Sequence, residues 1–253
     1  MVKSEWEEPL SESSRLKFQD GNAKIPDRIK TFSLRAGYSC PGADKCLSKA
    51  VEGPDGRMTI RDGRHTEHRC FMASGEGRLK QVYKAHKHNE DLLVQCRTKA
   101  RMVRLFVDSM PKFVGAMRVH ASGDFFNQTY FDAWLEVVGL YPHTHFYGYT
   151  KSLPFWVRRL DKIPENLLLT ASTGGKYDHL IAEHGLRHAV VVYHPEEAER
   201  LELEIDHDDS IAYTRGVDSF ANLLHGNAKA GSTHSQALKR MRAEGIKYGY
   251  SAK

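Results

Sequence analysis

Short apolar runs alternate with stretches of helical periodicity along this chain. Thr31-Phe32-Ser33-Leu34, Met117-Arg118-Val119-His120, His145-Phe146-Tyr147-Gly148-Tyr149, Leu167-Leu168-Leu169-Thr170 and Ala189-Val190-Val191-Val192-Tyr193 are rich in β-branched, aromatic and aliphatic residues. That composition predicts strands. Ser210 to Tyr213 reads as a further strand. Between the runs, Leu92, Cys96, Val103, Phe106 and Met110 fall on one face of a helix predicted over 89–110. Asn127 caps a second helix that carries Phe131, Trp134, Leu135 and Val138 on one side. Ser152 and Pro154 suit the first turn of a third. An acidic helix follows His194-Pro195, and residues 52–63 read as a loop or small hairpin.

Strands that alternate with helices, several of them apolar throughout, predict a parallel sheet covered on both faces. The expected fold class is α/β, either a partial (β/α) barrel or an open parallel sheet flanked by helices. Residues 1–28 read as a loose lead-in. Residues 29–253 read as a single α/β domain with a cysteine-bearing loop region at 36–75. Such folds build their sites at the C-terminal ends of the strands. Polar groups recur there: Ser122-Gly123-Asp124, Thr150-Lys151-Ser152, Ser172-Thr173-Gly174-Gly175 and His194. Helix capping explains Ser152 and Ser172 well, and Asp124 and Lys151 less well.

Composition narrows the class. No apolar run approaches the ~20 residues that span a bilayer. The polar, acidic stretch from Met1 to Pro9 lacks a signal peptide's apolar segment. A cytoplasmic protein with no membrane partner is expected. The formal net charge is +5. Residues 78–118 and the tail from Lys229 are basic, whereas Glu196 to Asp209 is acidic. A basic face attracts nucleic acid, although most such faces are simply solvated helix surfaces.

The cysteines change the picture most. Cys40, Cys46, Cys70 and Cys96 lie in a chain with no export signal, where thiols bind metal or do redox chemistry more often than they form disulfides. Cys40 and Cys46 form C-x5-C directly after the first strand, beside Pro41 and Gly42, and 23 residues separate Cys46 from Cys70. Three thiolates can hold three irons of a [4Fe–4S] cluster and leave the fourth iron open. Zinc is the alternative, with Cys96, His65 or His68 as a fourth ligand. Cys96 reads as a packed core thiol among Leu92, Leu93 and Val103. His86 and His88, spaced i, i+2 on a helix, do not share a face and are expected to be exposed. The carboxylates around His207 are expected to face water.

Two resemblances follow from these motifs. Thr31-Phe32-Ser33-Leu34, Cys40-Pro41-Gly42-Ala43, Arg69-Cys70-Phe71, His120 through Phe126, Tyr149 through Pro154 and Asp206 through Ser210 resemble the gene product 88 family of mycobacteriophages. The similarity runs from about Gly21 to the tail and implies a bacteriophage protein acting in the host cytoplasm. The order of parts is also similar to radical S-adenosylmethionine enzymes, in which a partial barrel carries three cluster cysteines after its first strand. Those enzymes space the cysteines C-x3-C-x2-C, whereas this chain has C-x5-C-x23-C. This second resemblance implies that Asp124, with Ser122 and Gly123, binds the cofactor's amino group. It also implies that Lys151 and Ser172 line the same pocket.

Three functions are therefore expected to compete. The first is an iron–sulfur enzyme, with S-adenosylmethionine as a cofactor and Asp124 and Lys151 in catalytic roles. The second is a zinc-stabilised nucleic-acid-binding protein with an anion site near Gly226, Gly231 and Ser232. The third is a glycosyl- or base-modifying barrel enzyme that uses Asp124. The partner is accordingly a small molecule or a nucleic acid.

Overall fold

A computed structural model describes residues 11–21, 29–112 and 114–247. Strand β1 (Ile29–Ser33) is followed by the cysteine loop and an antiparallel hairpin of β2 (Ser48–Glu52) and β3 (Met58–Asp62). Helices α1 (Phe71–Arg78), α2 (Lys80–Cys96) and α3 (Lys99–Ser109) come next. Strand β4 (Ala116–Ser122), helix α4 (Gln128–Leu140), β5 (His145–Thr150), α5 (Leu153–Val157) and β6 (Leu167–Ser172) then alternate. They are followed by α6 (His179–His184), β7 (His188–Val192), α7 (Pro195–Arg200), α8 (Ser210–Tyr213), β8 (Ser219–Leu223) and α9 (Thr233–Ala243).

Six strands form one sheet in the order β1-β4-β5-β6-β7-β8, and every neighbouring pair is parallel. The sheet strands therefore step in one direction, which brings the connecting helices to one face. Phe32, Met117, Val119, Phe146 and Leu169 point to that face and pack with Phe106 of α3 and Trp134 of α4. The ring centroids of Phe32, Phe106 and Trp134 lie 4.4 to 5.5 Å apart in pairs. The opposite face is apolar only at its lower end. There Tyr147, Leu168, Ala189 and Phe220 pack against Ala212 of the short helix α8. The fold is thus an α/β open parallel sheet flanked by helices, with the strand order of a barrel left unclosed.

Both sheet edges carry a short extra pairing. At β1, Gln19 bridges antiparallel to Thr31, with hydrogen bonds of 3.0 and 2.8 Å. At β8, Ile205 bridges parallel to Ala221. The lead-in is therefore not loose where it is described, because Leu16 is buried and Phe18 packs on the core. The rest of residues 1–28 lies outside the described residues, apart from 11–21.

A bulge near the end of β4 decides which side chains reach which face. Phe32 pairs with Val119, but Ser33 pairs with Ser122. His120 takes up the extra length at φ +61°. The bulge turns its ring into the helix-side aromatic core, where Nε2 meets the Tyr130 hydroxyl at 2.9 Å. A bulge re-aims side chains in this way.

Several sequence expectations are corrected. The helix predicted over 89–110 is two helices, divided at Arg97 with φ +53°. α2 begins far earlier because its buried stripe is largely polar: Tyr83, His86, Asn89, Glu90 and Leu93. His86 was expected to be exposed but is 1% exposed. Ser210 to Tyr213 is helix, not strand, and the last strand is β8. Asp206 and Asp209 are buried rather than facing water. Asp206 accepts the Ala212 N–H at 2.9 Å, which fastens α8. Ser152 makes no cap bond, and its hydroxyl donates to the Phe125 carbonyl at 2.8 Å instead.

Two outcomes follow. Trp134→Ala should cost about 3–5 kcal/mol in chemical denaturation, because the ring is fully enclosed by the sheet and α3. Burial also lowers the His120 imidazole pKa from 6.5 to about 3. The unfolded chain therefore binds a proton that the native chain refuses between those values. Stability should fall as pH drops from about 6.5 towards 3. His120→Gln should flatten that part of the curve, as read by denaturation midpoints between pH 7.5 and 4.

Candidate metal centre

The loop after β1 lies across the C-terminal ends of β5 and β6. Gly42 sits so close to β5 that a Cβ there would lie 2.0 Å from the Lys151 carbonyl oxygen. Ala43 bridges to Gly175, Lys45 N–H donates to the Gly174 carbonyl at 3.0 Å, and Lys176 N–H donates to the Gly42 carbonyl at 2.9 Å. Lys176 Nζ reaches the Pro41 carbonyl at 2.8 Å. These bonds fix Cys40 and Cys46 at the strand ends. The Lys45 carbonyl accepts from Glu67 N–H at 2.8 Å and His68 N–H at 3.2 Å, which draws in the segment before Cys70.

The three thiols meet electrostatically. Burial pushes the Cys40 thiol well above its ordinary value, with Asp124, Cys70 and Cys46 adding to the rise. Burial likewise pushes Cys70 up to about 12, and Cys46 adds to it. Hydrogen-bond donors oppose these shifts. Gly37 N–H donates to Cys40 Sγ at 3.3 Å, and Cys70, just before α1, receives the Ala73 and Met72 N–H groups. Sulfurs that hold N–H donors but are penalised for ionising suit a bound cation, which stabilises the thiolate. Among the described residues, no three His, Cys, Asp or Glu side chains form a ready cage for a metal ion. Cys96 stands apart, half-buried against the core at the end of α2.

Buried carboxylates brace this arrangement. Glu76 of α1 is wholly buried. One oxygen accepts the Ala36 N–H at 2.9 Å, lies 2.8 Å from His86 Nδ1 and receives the Ser122 hydroxyl at 3.1 Å. Asp124 is 4% exposed. Its oxygens accept the Thr150 hydroxyl at 2.6 Å, the Phe125 N–H at 2.7 Å and the Lys151 N–H at 2.8 Å. Burial raises its pKa against the pull of those donors. Gly123, at φ +81°, lies so near Ser39 and Leu34 that a Cβ would clash. Lys151 donates from Nζ to the Ser172 carbonyl and hydroxyl at 2.9 and 2.7 Å, and to the Thr173 carbonyl.

A cleft of about 320 Å³ opens on the concave sheet face below these loops. Cys46, Cys70, Lys151 and Ser172 line it, whereas Ser122, Gly123 and Asp124 do not. Burial, reinforced by the Lys151 charge, lowers the His68 pKa at the rim to about 4. The cleft floor holds a group that the sequence reading missed. Arg118 pairs with Asp209 at 2.6 Å, and its guanidinium lies 5.1 Å from the Tyr149 ring centroid. Tyr147 donates to Asp209 at 3.3 Å, and Asn222 lines the wall nearby. One signal was present in the sequence: an arginine in mid-strand, within the otherwise apolar Met117-Arg118-Val119.

These features define an α/β protein whose strand-end loops bring Cys46 and Cys70 to the lining of a cleft, with Cys40 in the same loop as Cys46. A family model described as Gene product 88 matches residues 10–243, and the chain belongs to that family. No curated protein matches the chain. No solved structure matches it. Among the described residues, no helix is long and apolar enough to cross a membrane.

The close approach at Gly42 gives a test. Gly42→Ala should destabilise the protein by about 3 kcal/mol, because backbone must move to admit the methyl group. Gly115→Ala, with open space around it, should change stability by less than about 0.5 kcal/mol. Urea titrations of both variants check the contrast.

Proposed function

We propose that this protein is an iron–sulfur enzyme that holds a [4Fe–4S] cluster on Cys40, Cys46 and Cys70 and acts on a small molecule in the cleft. The observation that carries this reading is geometric: the loop bearing Cys40 and Cys46 is bonded across the strand ends and to the segment before Cys70, and Cys46 and Cys70 both line the cleft. A single zinc ion, with Zn–S bonds of about 2.3 Å, needs sulfurs within roughly 4 Å of one another. A cluster binds each thiolate to a different iron and spreads them wider. Metal analysis distinguishes the two, because zinc would be bound as one ion and the cluster as several irons.

A cluster held by three thiolates keeps one iron open and supplies single electrons there. The chain's own part is positioning. Lys151, with its protons already committed to the end of β6, offers the cleft a fixed positive charge rather than a free donor. Asp124, with both oxygens occupied, is a positioning residue that joins β4 to β5. On this reading S-adenosylmethionine would be the cofactor, and Lys151 and Ser172 would be the residues that hold it. The saturation of Asp124 disfavours its use as a nucleophile in a glycosyl- or base-modifying reaction.

Anaerobic purification followed by metal analysis tests the proposal. The wild type should carry about four irons per chain and absorb near ~400 nm. Alanine at Cys40, Cys46 or Cys70 should remove the colour, and Cys96→Ala should keep it. A wild-type protein that stays colourless and iron-free after reconstitution, or that carries stoichiometric zinc, overturns it.

A further inference from the structure

The concave face carries polar groups that the metal centre does not use. Ser33, at the end of β1, is 3% exposed, lines the cleft, and has a hydroxyl with no hydrogen-bond partner. The Tyr149 hydroxyl also makes no hydrogen bond of good geometry, although Asn222 lies beside it. The unpartnered Ser33 hydroxyl lies in a cleft-lining residue, where a ligand can satisfy it, and Tyr149 and Asn222 form a polar pair in the same lining. The charges at the floor, Arg118 and Asp209, neutralise each other. An uncharged ligand head therefore suits the floor better than an ionised one.

The lining narrows the class further. The Asn222 carboxamide presents a donor and an acceptor side by side, which complements the donor–acceptor edge of a nucleobase. Tyr149 and Phe71 supply aromatic surface to the same cleft. Its volume of about 320 Å³ is at the small end of ligand pockets and admits one base with its sugar, not a duplex.

We propose that the cleft floor formed by Ser33, Tyr149 and Asn222 binds a nucleobase, presented either as a free nucleoside or as an unpaired base of a single strand. This deepens the enzymatic reading by naming its substrate class. It is tested separately, because base binding does not require the metal.

Equilibrium binding to the full chain distinguishes the outcomes. The probes are the common ribonucleosides and deoxynucleosides, and a short single-stranded oligonucleotide. Each is measured with the anaerobically purified protein and with Cys46→Ala. At least one probe should bind both proteins. Tyr149→Phe and Asn222→Asp should each weaken that binding about fivefold or more, the effect of losing a neutral hydrogen bond. Both variants should retain the wild-type iron content. Binding of free nucleosides identifies the soluble source, and binding of the oligonucleotide alone identifies the strand. Absence of binding by every probe up to millimolar concentration overturns the proposal. So does binding that the Tyr149 and Asn222 changes leave unaltered. Iron-free wild-type protein that still binds a base sinks the cluster and leaves this inference standing.

Discussion

One oxygen atom of Glu76 ties together parts of the chain that are distant in sequence. It accepts from the loop entering the cysteines at Ala36, meets His86 of α2, and receives Ser122 from the end of β4. The carboxylate is itself part of α1, the helix that begins just after Cys70. A carboxyl group is rarely buried so deeply without hydrogen bonds, since its removal from water is costly. Here the compensation is structural. The carboxylate fixes where the Cys40 loop and the Cys70 helix sit relative to the sheet. Asp124 repeats the device one strand further on, where it joins β4 to β5.

The two faces of the sheet divide the labour. The helix side is packed with aromatic rings and supplies most of the hydrophobic stabilisation. The concave side is apolar only at the base, and above that it carries Arg118, Tyr149, Asp209 and Asn222. The bulge at His120 sharpens this division. It moves an imidazole out of the cleft and leaves Ala121 to line it. The cysteine loops then close the strand-end side of a cavity whose polarity was set by strand alternation.

The sequence revealed the alternating strands and helices of the second half, because their apolar periods are clean and their ends carry Asn127 and Pro154. Of the residues it singled out for a site, Cys46, Cys70, Lys151 and Ser172 line the cleft and Cys40 does not. It concealed α2, whose buried face is His86, Asn89 and Glu90 rather than a run of leucines. It concealed α8 too, which is held by the Asp206 side chain in a stretch that reads as solvated acid. Polar residues that are buried through one another leave no hydrophobic signature, so periodicity misses them. The Arg118–Asp209 pair joins residues 91 positions apart, and nothing local announces it.

The short bridges at Gln19 and Ile205 carry a consequence for association. Exposed strand edges invite another chain to add a strand, the usual route to β-mediated aggregation or peptide capture. Here both outer strands already have backbone partners at their centres, Thr31 and Ala221. A visiting strand would have to strip away native pairing before it could lengthen the sheet. Growth of the sheet by strand addition at either edge is thereby opposed, whichever copy or peptide arrives.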